Sequence, residues 1–212
     1  MSYIENIFIC LAAPLLLAIL CLSPDGRRGL GFLLAGMTSC LLSAYVSAFF
    51  AGIAETDIPT ASHEIAPVVE EVIKFLPLLF YQLVFNAKRR NIIMGALLVA
   101  VGFATFENVC FLTYNDTSDL SRLLIRGFGA GAMHVVCGMV VATGLFFLWD
   151  QVQLQIAGTV ALLCFVITYH AIFNVFANQT GMIFWVGNAI PLLTVLLYLL
   201  FFRKKVDISK YD

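Results

Sequence analysis

A series of long apolar runs with no amphipathic period limits most strictly what this chain can fold into. Seven runs, at about 4–22, 30–53, 67–87, 92–112, 123–148, 154–177 and 182–202, reach the roughly 20 residues an α-helix needs to cross a bilayer. In hydrocarbon every backbone N–H and C=O must find its partner inside the spanning structure, and continuous runs of this length choose the helix over the barrel strand. The expected fold is therefore all-α, a polytopic membrane bundle of about seven transmembrane helices. The chain is 61% hydrophobic and 12% charged, about half the charge of a soluble domain. A formal net charge of -1 gives no field to attract nucleic acid. The connections are short and polar, without repeats or low-complexity tracts. The organisation expected is one membrane-embedded domain over 1–212, with its core at about 67–177 and lipid as its surroundings. The first run has no basic leader and carries Glu5, so it is expected to stay as a helix rather than be cleaved as a signal. Cys10, Cys21, Cys40, Cys110, Cys137 and Cys164 lie inside apolar runs and form no CxxC pair. They are expected as small core residues.

The basic residues set an orientation. Arg27 and Arg28 separate the first two runs; Lys88, Arg89 and Arg90 separate the third and fourth; Arg203, Lys204, Lys205 and Lys210 follow the seventh. With seven spans all three groups fall on one side, the cytoplasmic one. The segment 54–66, Asn115 to Asp119 and Ala177 to Gly181 then face outward, and the N-terminus lies outside a cell membrane with the C-terminus inside.

Ionisable side chains inside four consecutive runs carry the functional information. The third run holds Glu70, Glu71 and Lys74; the fourth Glu107 and Asn108; the fifth Arg126 and His134; the sixth His170 and Asn174. Three glutamates and a lysine near mid-bilayer would cost about 10 kcal/mol before pairing relieves them. Threading the runs across the bilayer at 1.5 Å per residue places these groups in one band of the outer half, on the order of 10–12 Å tall. The third to sixth runs thus form a four-helix core around a polar chamber. Lys74 sits at i+3 from Glu71 and i+4 from Glu70 and can neutralise either. Phe103 and Glu107 share a face, as do His170 and Asn174, while Gly127, Gly129 and Gly131 let neighbours approach the fifth helix. Arg126 reads as a snorkelling cation and His63 as a solvated loop residue.

Adjacent carboxylates in low dielectric suit a general acid or base. Histidine can transfer a proton or face an oxyanion, and Asn174 is an amide donor for a tetrahedral intermediate. There is no GxSxG, no HExxH and no aspartate within a span, which removes serine, zincin and aspartyl-dyad chemistry. What remains is water activated by Glu70, Glu71 or Glu107 with His134 and His170, or by a metal. Glu71, Glu107, His134 and His170 are an acceptable zinc set, and the residues leave the metal-bound and metal-free routes open.

The same residues resemble a family. Glu70 to Lys74 reads EExxK, Phe103 to Glu107 reads FxxxE, His134 follows on the next span, and His170 to Asn174 reads HxxxN. In this order they look like the PrsW family of intramembrane proteases, relatives of the type II CAAX prenyl endopeptidases. The resemblance covers about 70–174. It implies peptide-bond hydrolysis in a membrane-anchored protein near the extracytoplasmic face, as in the cleavage of a single-pass anti-sigma factor. The CAAX enzymes carry FxxxH where this chain has Glu107, so their water-activating pair does not carry over directly; His134 is the substitute on offer. An ion-coupled transporter using the same acids is the alternative from another class, but inverted repeats and broken helices are missing. A non-catalytic scaffold for membrane segments is a third.

Overall fold

The structure is a computed structural model and describes residues 3–85, 89–114, 119–148 and 151–201. Lys88, Asn115 to Ser118 and the basic tail Arg203, Lys204, Lys205 and Lys210 lie outside the described residues. Among the described residues there is no strand. The elements are α1 (Ile4–Cys21), α2 (Pro24–Ile53), a single turn α3 (Ile58–Thr60) continuing as a π-helical turn (Ala61–Ile65), α4 (Ala66–Phe85), α5 (Arg89–Tyr114), α6 (Leu120–Leu148), α7 (Val152–Ala177) and α8 (Met182–Phe201). The chain is a multi-pass membrane protein with a polytopic helical fold. Among the described residues, six helices are long and apolar enough to cross a bilayer. The seventh expected span, α4, has the length but carries Glu70, Glu71 and Lys74 within its first half. It can keep those charges because α2, α5 and α7 pack around it.

The helix ends follow local chemistry. α2 begins six residues before the expected span, at Pro24, because proline at the first helical position loses no hydrogen bond. The segment 54–66, expected as a loop, is mostly helical. Asp57 starts it by accepting from the Thr60 backbone N–H at 3.0 Å, a bond that also holds its carboxyl below the usual aspartate range. The π-helical turn then runs directly into α4.

Packing makes α5 and α6 the centre, with 50% and 56% of their spanning residues buried, whereas α1 has 6%. α4 packs on α5, α5 on α6, α6 on α7 and α7 back on α4, so these four close a ring. α2 backs α4 and α5, α8 backs α6 and α7, and α1 lies outside on α2. The tightest seam is α2 against α5. A Cβ on Gly36 would fall 2.1 Å from the Val99 carbonyl oxygen, and one on Gly102 would fall 2.1 Å from that of Leu33. Two glycines facing each other's partner backbone let these helices touch main chain to main chain. Gly129 on α6 likewise admits Asn188 of α8, whereas Gly131 faces open space. The cysteines divide: Cys40 and Cys137 are buried and Cys110 partly so, but Cys10, Cys21 and Cys164 lie on the outer surface. A thiol is apolar enough to face lipid as readily as core.

Candidate active site

Inside the ring of α4 to α7 the ionisable residues meet at one level. Phe103, wholly buried on α5, is the floor. The Lys74 ammonium lies 4.6 Å from its ring centroid, and the His134 ring packs against it at 4.9 Å. Cation–π attraction helps keep a buried lysine charged. That explains why the phenylalanine stands one turn before Glu107.

Lys74 Nζ donates to Glu71 Oε1 at 2.6 Å and to His134 Nδ1 at 2.8 Å. An ammonium has only donors, so His134 Nδ1 must be the acceptor and Nε2 must carry the proton. That Nε2–H donates to Glu107 Oε2 at 2.6 Å. Glu107 Oε1 in turn accepts from Arg126 Nη2 at 3.0 Å, and the guanidinium stacks 4.9 Å from the Phe111 ring centroid. Arg126 is thus half of an ion pair in the site rather than a snorkelling cation. On the other side His170 Nδ1 donates to Glu71 Oε1 at 2.7 Å, which leaves its Nε2 with a lone pair. The two imidazoles stand edge to face, 5.1 Å apart.

Glu70 completes the set differently. Its Oε2 is buried and has no hydrogen-bond partner, and it lies 3.7 Å from His170 Nε2. A carboxylate oxygen and an imidazole lone pair therefore face each other with no proton between them at hydrogen-bond distance. Two ligands on one tetrahedral zinc stand about 3.4 Å apart, given metal–ligand bonds near 2.1 Å. Donor atoms of Glu70, His134 and His170 all lie within 4.8 Å of one another. These residues fit a metal. The fit rests on the orphaned Glu70 oxygen, and on the three carboxylates that Lys74 and Arg126 leave with one negative charge in excess. Glu71 and Glu107, expected as ligands, instead stand behind the histidines and grip a ring nitrogen of each. Such carboxylate–histidine pairs fix the tautomer and basicity of a ligand. Both nitrogens of His134 are engaged, so its joining a metal requires one partner to give way. Lys74, on a flexible stem, can; Glu107, clamped by Arg126, is held.

Asn174, expected to face the reacting carbonyl, donates through Nδ2 to the Ser62 carbonyl oxygen in the π-helical turn at 2.9 Å. His63 is not simply solvated, since its Nε2 accepts from Asn178 Nδ2 at 2.9 Å. Sequence reasoning missed Asn188 altogether. It is fully buried on α8, donates Nδ2 to the Phe184 carbonyl oxygen at 2.9 Å, and keeps Oδ1 without a partner. One amide in an apolar run of α8 costs too little to stand out in the sequence, and only the structure shows it against Gly129 on α6.

Residues 28–203 match the family described as PrsW family intramembrane metalloprotease. The chain belongs to that family. It is therefore a membrane protease. Comparison with curated proteins and with solved structures gave no match. The family's metalloprotease description agrees with the donor set of Glu70, His134 and His170.

Proposed function

We propose that the chain is an intramembrane endopeptidase that hydrolyses a peptide bond of a single-pass membrane protein near the extracytoplasmic face. Its metal, zinc by the chemistry of the donors, would be held by Glu70, His134 and His170. The observation that carries this reading is the buried, unpartnered Glu70 oxygen opposite the His170 lone pair. A bound zinc would supply a Lewis acid and a water made acidic enough to attack at neutral pH. The remaining work falls to the chain. Glu71 holds the His170 Nδ1 proton and so keeps Nε2 free to ligate. Glu107 does the same for His134 from the opposite side of the ring. Lys74 balances Glu71 and releases His134 when the ligand set assembles. The carboxylates next to the ligands are the groups on hand to take a proton from the attacking water and return it to the leaving amine.

Asn174 gives one amide N–H to Ser62, and Arg126 is a further donor on hand for the carbonyl oxygen of the scissile bond. Its Nη2 is held by Glu107, while Nη1 is buried without a partner. A preorganised cation of this kind strengthens its bond as charge develops on oxygen.

The site lies toward the end of the bundle formed by the 54–65 connection and the α7–α8 turn. With the three basic groups cytoplasmic, that end is extracytoplasmic. A cut there would suit the first cleavage of a membrane-anchored regulator such as an anti-sigma factor. The test is reconstitution of purified protein with a tagged single-pass substrate and mass-spectrometric mapping of the products. One cut within or just outside the outer half of the substrate span is expected, absent with Glu70→Gln and with His170→Ala. An uncleaved substrate, or cleavage that survives both substitutions, would sink the proposal.

A further inference from the structure

The π-helical turn ahead of α4 has a backbone defect that one side chain repairs. In a π-turn each carbonyl accepts from the N–H five residues on, and the Ala66 N–H accordingly returns to the Ala61 carbonyl. The next carbonyl, that of Ser62, should accept from residue 67. That residue is Pro67, which is buried and has no N–H to give. The α-helical alternative for Ser62 would be the Ala66 N–H, already used by Ala61. Ser62 is therefore left with an acceptor that the helix cannot satisfy, and Asn174 Nδ2 fills it at 2.9 Å from the neighbouring helix.

We infer that Asn174 is a positioning residue that ties α7 to the start of α4 and sets the register of Glu70 and Glu71 against His170. Asn174 stands one turn beyond His170 on α7, and Ser62 stands two turns before Glu70 and Glu71, so the bond spans the gap across which those carboxylates meet the imidazole. Register matters here because one residue of slip in a helix turns a side chain by about 100°, which would carry Glu70 and Glu71 away from the ring interior. The π-turn is an inserted residue of that sort, and it can be held only if its orphan carbonyl finds a donor. Asn178, one turn further along α7, reinforces the contact by donating to His63 at 2.9 Å and by standing 3.5 Å from the Ser62 hydroxyl. This assignment rests on the protease reading for its consequence in catalysis but not for its structural content.

The position of the defect supplies its own test. Pro67→Ala puts back the missing N–H, so it should make Asn174 dispensable. Full-length protein in detergent is compared as wild type, Asn174→Ala, Asn174→Asp, Pro67→Ala and Asn174→Ala/Pro67→Ala. Amide exchange of residues 61–66 and the midpoint of thermal unfolding are read without added metal, and substrate cleavage is read separately. Losing the amide donor is expected to speed exchange of Ile65 and Ala66 about tenfold. Cleavage should fall about 10- to 100-fold, the range for groups that orient ligands. Asn174→Asp, which keeps the shape and removes the donor, should behave as Asn174→Ala does. The double variant should regain most of the exchange protection and cleavage. Two results would overturn the inference: unchanged exchange in both single Asn174 variants, or a double variant whose protection and cleavage remain at the Asn174→Ala level. If wild type cleaves nothing, the protease proposal fails while the exchange data still decide the role of Asn174.

Discussion

Lys74 lies between Glu71, His134 and the Phe103 ring. Its removal leaves a buried carboxylate without its cation, which typically costs about 3–5 kcal/mol. Lys74→Met should therefore lower the midpoint of thermal unfolding in detergent markedly, and an unchanged midpoint would show that the Glu71 charge is met elsewhere. Arg126 is tested through turnover and metal content. If its free Nη1 meets the scissile carbonyl, Arg126→Ala should lower kcat about 10²- to 10³-fold, with metal content retained. Equal loss of bound metal would instead make Arg126 a support for Glu107 alone. At this scale the sequence was legible in kind but not in pairing. Glu70, Glu71, Glu107, His134 and His170 stand out because lipid makes each expensive. Which carboxylate grips an imidazole and which faces open toward it depends on how four helices are rotated about their axes. Spacing along one helix does not carry that information. Lys74 could reach either glutamate by spacing, and only the packed ring gives it to Glu71. Arg126 read as a snorkel for the same reason, since Glu107 lies on another helix.

Among the elements, the α2–α5 seam is the one on which the ring leans, because α2 backs both α4 and α5. Gly36→Ala or Gly102→Ala would press a methyl group onto a backbone carbonyl that cannot rotate away. Each should cost about 1–3 kcal/mol as overpacking, measured as reduced resistance to denaturant in detergent. Gly131→Ala faces open space and is the matched control. It should be neutral or stabilising by about 0.5–1 kcal/mol, the gain from removing a helical glycine. Equal behaviour of all three would mean that α2 and α5 do not approach as closely as described. The helices were readable to within a few residues at most ends, because apolar length and polar punctuation mark both edges of a span. The helical character of 54–65 was not, since its polar residues look like a loop. Nothing short of the Pro67 defect and its Asn174 partner identifies the π-turn.

For the molecule as a whole, the division of labour follows from the medium. Lipid supplies no donors, acceptors or counter-ions, so a protease working inside it must enclose its charges. The ring of α4 to α7 does so, with α1, α2 and α8 as outer packing. Charge in four consecutive runs announced that ring, and the family match over 28–203 agrees with the motifs that lie on it. The identity of the ligand set was beyond the linear pattern. By sequence Glu71 and Glu107, not Glu70, are the carboxylates expected beside the histidines on a metal, and the structure shows both already holding an imidazole. The central claim, that Glu70, His134 and His170 together hold the metal, is tested most directly by elemental analysis of purified protein. Wild type is predicted to carry about one zinc per chain and to lose it, together with cleavage, in Glu70→Ala, while a folded Arg126→Ala keeps it. Full cleavage by protein stripped of metal, or a Glu70→Ala variant that retains zinc at the wild-type level, would contradict the account.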